Sequence, residues 1–81
     1  MKLPRDITGE DLQKALRRAF VYQVTRRSGS HCRLTTQSCG EHHLTIPAHN
    51  PLKPGTLRTI LGEVAEHHGV SVADVLQDLE L

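Results

Sequence analysis

Hydrophobic positions recur along this chain at two periods, and the change between them divides it into elements. Leu12, Ala15, Leu16 and Ala19 fall at helical spacing, with Lys14, Arg17 and Arg18 off that stripe. Thr8 stands ahead of them as an N-cap, and Glu10 and Asp11 suit the positive end of a first turn. The spacing predicts a helix over residues 9–19. From Phe20 the period becomes two. Phe20, Tyr22 and Val24 alternate with Val21, Gln23 and Thr25; Cys32 and Leu34 alternate with His31, Arg33 and Thr35; Leu44 and Ile46 alternate with His43 and Thr45. Three short strands joined by Ser28-Gly29-Ser30 and Ser38-Cys39-Gly40 predict an antiparallel meander.

With three-residue turns, Arg27 is expected opposite His31, Gln37 opposite Glu41, and Leu34 between Val24 and Leu44. One face is then apolar. The other carries Thr25, Arg27, His31, Arg33, Thr35, His43 and Thr45. A slip of one residue would bury Arg33, so the pattern resists it.

Pro47, Pro51, Pro54 and Gly55 mark a loop. After it, Leu57, Ile60, Leu61, Val64, Ala65 and His68 form a second helical stripe. Thr56 is the expected cap and Gly69 the stop. Ser71 with Asp74 makes a capping box for a last short helix that buries Val72, Val75, Leu76 and Leu79, and Val70 can staple against Val75. Residues 1–81 thus read as a single α+β domain. It is a two-layer α-β-β-β-α sandwich whose helices cover one face of a three-stranded antiparallel sheet, with a C-terminal helix appended.

Size and composition narrow the function. Eighty-one residues leave a thin core, and any active site must be shallow. Phe20 and Tyr22 are the only aromatic residues, too few for a reader that stacks successive bases on rings. No apolar run reaches membrane-spanning length. The N-terminus lacks the apolar stretch of a secretion signal, and Cys32 and Cys39 do not make a disulfide framework. A cytoplasmic protein with free thiols is expected. The net charge of +1 is unevenly spread: residues 1–58 carry +6 and residues 59–81 carry −5. That separation suggests a polyanion-binding face and an acidic end held away from it.

The candidate chemistry lies at the first hairpin, Arg26-Arg27-Ser28-Gly29-Ser30-His31. An imidazole moves protons near neutral pH, and guanidinium forks grip phosphate. Taken alone, the six residues also fit a polar turn with a surface histidine. A zinc site is the obvious competitor. Cys32, Cys39, His42 and His43 lack paired metal-ligand spacing, however, and the alternation sends His43 to the face opposite Cys32. Cys32 points to the core as a small hydrophobe. His67 and His68 close the second helix, with Glu63 and His67 spaced as an exposed pair.

The whole chain resembles the HicA toxins. The resemblance rests on the opening Lys2-Leu3-Pro4, on Gly29-Ser30-His31 entering the second strand, and on His49-Asn50-Pro51-Leu52-Lys53-Pro54-Gly55-Thr56-Leu57-Arg58 followed by Ile60-Leu61. It implies a double-stranded-RNA-binding-like fold and the toxin half of a bacterial toxin–antitoxin pair. It further implies a ribonuclease that cuts mRNA without a metal or other cofactor, silenced by a HicB-type antitoxin. The family's catalytic histidine corresponds to His31. In such proteins the first helix usually ends at a glycine before the aromatic residue, whereas this chain has Ala19-Phe20.

Cleavage through the RNA's own 2′-hydroxyl needs a base, an acid and cations around the phosphate. His31 fills one proton-transfer role. Arg27 and Arg33 would hold the scissile phosphate, the backbone at Gly29 and Ser30 would add donors, and Lys53 would touch flanking phosphates. His43 shares the face but stands about two residues too far along to be the second group. The antitoxin is expected to cover the sheet face around His31. The alternative is a non-catalytic double-stranded-RNA-binding-like module that uses the same face. A third class is a protein-interaction domain that recruits a partner through its acidic last helix.

Overall fold

A computed structural model describes residues 3–81, so Lys2 of the opening signature lies outside the described residues. The elements run α1 (Gly9–Phe20), β1 (Gln23–Ser28), β2 (His31–Thr36), β3 (His42–Pro47), α2 (Pro54–His68) and α3 (Val72–Leu79). The strands form one antiparallel sheet in the order β1-β2-β3. The helices occupy one side of it, and α3 packs against both α1 and α2. The two-layer α+β architecture is the one the hydrophobic pattern predicts.

Both capping boxes form. The Thr8 hydroxyl accepts from the Asp11 N–H and the Asp11 carboxylate accepts from the Thr8 N–H; Ser71 and Asp74 make the same reciprocal pair. α2 ends at Gly69, at φ 67, with the Val70 N–H returning to the Ala65 carbonyl. α2 starts earlier than expected. Its cap is Lys53 rather than Thr56, because Pro54 supplies a preset φ and lacks the N–H that a first helical residue would leave unpaired.

The core brings together Leu12 and Leu16 of α1, Cys32, Leu34, Leu44 and Ile46 of the sheet, Leu57, Leu61 and Val64 of α2, and Val75 and Leu79 of α3. Phe20 belongs to α1, not to the first strand. The turn comes at Val21, which takes the left-handed conformation at φ 60 although it is β-branched and 57% exposed. It does so where the resemblance leads one to expect a glycine nearby. Tyr22 then drops into the core, fully buried.

One point of register differs from expectation. Leu34 does lie between Val24 and Leu44, and Cys32 faces Ile46. Between Val24 and Arg26, however, β1 carries a bulge with Thr25 as the extra residue. Arg26 therefore pairs with Arg33, Arg27 with Cys32, and Ser28 with His31. The hairpin closes on two residues, Gly29 and Ser30. Gly29 has a φ of 58 at the first central position, where a two-residue hairpin turn of type II′ calls for glycine.

Candidate functional site

The uncovered face of the sheet consists of cross-strand rows, because side chains of paired residues point the same way. Its first row is Ser28, His31 and Pro47; its second is Arg26, Arg33 and Thr45. Rows on one face stand about 6.6 Å apart. His31, Arg26 and Arg33 are all exposed, so the imidazole projects into solvent one row from two guanidinium groups.

Arg27 is the correction. It was expected on this face opposite His31, but the bulge pairs it with Cys32 and turns it to the helix side of β1. There it lines a cleft with the first turn of α1 and the loop after β3. Arg26 takes its place. Lys53, at the start of α2, shares a shallow depression with Thr45, so the cationic row extends past the β3 edge.

Like charges directly opposite on a sheet repel. Among the described residues, the ion pairs of this protein are Lys14–Glu10, Arg18–Glu80 and His43–Glu41. Arg26 and Arg33 are in none of them. The open face thus carries two adjacent arginines outside any ion pair.

The third row is a closed network. Thr25 Oγ1 lies 3.0 Å from Thr35 Oγ1, Thr35 Oγ1 lies 2.8 Å from His43 Nδ1, and His43 Nε2 lies 3.1 Å from Glu41 Oε2. Hydrogen bonds from Gln37 and His43 hold the Glu41 carboxyl below the usual range. His43 is thus occupied, and its row is two rows from His31, about 13 Å along the strand. At that distance the two rings cannot both touch one phosphate-sized group.

The hairpin turn is anchored from behind. The Ala48 N–H donates to the Ser30 carbonyl at 2.6 Å, and the Gly9 N–H donates to the His49 carbonyl at 3.0 Å. The backbone before His31 is therefore tied to the loop after β3, and that loop to the start of α1. Gly29 has open space around its Cα, so a ligand can come close to this turn.

His42, His67 and His68 form a structural cluster at the far end of the sheet. The Tyr22 hydroxyl lies 2.8 Å from His42 Nδ1 and 3.2 Å from His68 Nε2. One phenolic hydrogen cannot serve both rings, so one imidazole accepts and the other donates. His42 stacks on His67 at 4.3 Å between centroids, and His67 Nε2 bonds the Ser38 and Gly40 carbonyls. His67 thus holds the β2–β3 turn rather than pairing with Glu63. Burial lowers the pKa of His42 and of His68, with neighbouring imidazoles adding to the effect in each. Burial, aided by Glu63 and Cys39, pushes the Tyr22 phenol up to about 12. Cys32 is buried and Cys39 exposed, both as free thiols. Among the described residues no three His, Cys, Asp or Glu side chains converge as a metal centre would require.

The acidic C-terminal part lies in the helical layer, and Arg18 ties Glu80 and the Leu79 carbonyl to α1. No helix is long and apolar enough to cross a membrane among the described residues.

These features define a small α+β domain with one covered and one open sheet face, the open one cationic and bearing a histidine beside a hairpin turn. The model of the HicA toxin family of bacterial toxin–antitoxin systems matches residues 9–66. The chain belongs to that family. It is a toxin by membership, and its partner is an antitoxin. No curated protein and no solved structure gives a significant match.

Sequence reasoning missed Arg26 as the outward arginine, the anchoring of the turn by Ala48, and the tyrosine–histidine cluster. A stretch of polar residues, Thr25-Arg26-Arg27-Ser28, carries no apolar marker by which a bulge could have been detected.

Proposed function

We propose that this toxin is an endoribonuclease that cleaves mRNA in the cytoplasm without a metal or other cofactor, with His31 as general acid or base. The observation that carries the reading is the exposed imidazole one row from the unpaired Arg26–Arg33 couple. An RNA strand laid along the second row puts a phosphate against both guanidinium groups, and His31 then reaches the adjoining 2′-hydroxyl or leaving oxygen. Arg26 and Arg33 stabilise the charge that builds on phosphorus. The backbone at Gly29 and Ser30 allows close approach, and Lys53 holds a flanking phosphate. A single proton-transfer group contributes about 10²–10⁴-fold to the rate. A HicB-type antitoxin silences the enzyme by covering this face and setting acidic side chains against Arg26 and Arg33.

The test is inducible expression in bacteria, together with cleavage of a defined RNA in the presence of a chelator. His31→Ala is expected to abolish both growth arrest and cleavage while the melting temperature barely moves. A variant as active as the parent overturns the assignment. A second reading, a non-catalytic module that binds duplex RNA, is favoured by one observation: Ser28 and Pro47, the row-mates of His31, supply no second proton-transfer group. It predicts RNA binding that falls with salt and no cleavage by the parent.

A further inference from the structure

On the helix side of β1, beneath the hairpin that carries His31, lies a cleft of about 410 Å³. Gln13, Arg27, His49 and Asn50 line it, together with Thr8 and Glu10. Gln13 is the unusual member. It is only 9% exposed, yet its carboxamide has no hydrogen-bond partner among the described residues. No side-chain polar atom of the described residues is both fully buried and unpaired. The carboxamide thus keeps access to solvent, and Gln13 is part of the cleft lining, where a ligand can meet it.

The geometry points to this cleft as a binding site for one nucleotide of single-stranded RNA, its base edge read by the Gln13 carboxamide and its phosphate held by Arg27. This rests on the reading of the chain as a toxin that acts on RNA. A carboxamide presents a donor and an acceptor side by side, the pattern that a base edge complements. Asn50 offers the same group from the facing loop. Arg27 is the cation of the cleft without an ion pair, since the Glu10 carboxylate is engaged by Lys14 at 3.4 Å. The cleft is also joined to the reaction site. Arg27 stands between Arg26 and Ser28, which point to the open face, and Ala48 of the cleft wall bonds Ser30, the residue before His31. A strand that wraps the exposed β1 edge has one phosphate near His31 and the next base in the cleft. The site thereby selects which sequences are cut.

The experiment titrates the full chain with each of the four 5′-mononucleotides and follows the Gln13 side-chain amide by NMR, in parallel with mapping of cut sites on a mixed-sequence RNA. One base is expected to shift the Gln13 amide and the Arg27 and His49 signals more than the other three. Gln13→Leu should weaken that binding about tenfold, the loss of roughly one hydrogen bond, and its cut sites should spread to sequences the parent spares. Arg27→Gln, at an exposed position, repeats the binding test should Gln13→Leu fold poorly. Shifts confined to the His31 face, or no shift with any nucleotide, overturn the proposal, as does an unchanged cut-site profile. A parent that binds nucleotides at Gln13 but cuts nothing overturns the ribonuclease reading alone.

Discussion

Replacing Gly9 with alanine should destabilise this protein, although alanine is the better helix former. Gly9 is the first residue of α1, and a Cβ placed there would stand 2.5 Å from the Pro47 carbonyl oxygen and 3.5 Å from the Ala48 Cα. An ordinary carbon–oxygen contact is about 3.3 Å or longer, so helix and loop must part by about 0.8 Å. Neither side yields easily. Pro47 ends β3 opposite His31, and the Ala48 N–H is bonded to the Ser30 carbonyl. On the helix side, the Gly9 N–H is bonded to His49 and the Leu52 N–H to Ile7. The propensity gain from alanine is at most about 1 kcal/mol and smaller at a first helical position. Forced separation of packed backbone costs about 1–3 kcal/mol. A net loss of about 1–2 kcal/mol lowers the melting temperature by roughly 4–8 °C for each kcal/mol in a domain of this size. Thermal unfolding followed by circular dichroism reads it directly, and amide shifts at Ser30 and Ala48 should accompany the loss. A variant that melts at or above the parent temperature refutes the contact and the reasoning built on it.

Val21→Gly should act in the opposite direction: relief of the left-handed penalty, less the entropy glycine adds to the unfolded chain, stabilises by about 0.5–1 kcal/mol in a denaturant titration. Tyr22→Phe leaves His42 and His68 without their shared partner and should cost about 1–3 kcal/mol by the same measurement. Acid should also weaken the fold through these rings. The pKa values of His42 and His68 are lowered from 6.5 in the folded protein, so the unfolded chain takes up protons first. Stability is then present above about pH 6.5 and is lost as pH falls through the folded values. The groups facing the pair are Tyr22, Phe20, His43, His67, Glu63 and Glu66, and a His42→Gln, His68→Gln double variant should flatten the dependence of the denaturation midpoint between about pH 7 and about pH 5. Arg26→Glu should weaken antitoxin binding and RNA binding together, whereas Arg27→Glu should leave the antitoxin contact largely intact; equal losses of antitoxin affinity in a binding titration would contradict the bulged register.

The helices were legible because their signals are local. Thr8 with Asp11 and Ser71 with Asp74 announce a helix start within four residues, and Gly69 announces an end. The inner face of the sheet was legible because Val24, Leu34 and Leu44 can share a row in only one register. The outer face was half legible. His31 and Arg33 sit on a strand pinned by Cys32 and Leu34, and they fall where alternation puts them. β1 past Val24 is polar on both faces, so alternation assigns no side there, and the arginine beside His31 was misidentified by one residue. The cluster of Tyr22, His42, His67 and His68 joins three separate segments. Nothing in any one of them signals the others. Gln13 lies next to the apolar stripe of α1, and only the packed fold shows that it lines the cleft under the hairpin.

The bulge at Thr25 has a bearing on solubility as well. β1 forms the rim of the sheet, and a straight rim of free amides and carbonyls is a template on which a neighbouring molecule can add a strand. One supernumerary residue kinks that rim, and the consecutive cations beyond it make an approaching copy repel. The rim that carries the hairpin is therefore a poor template for strand addition by a second molecule.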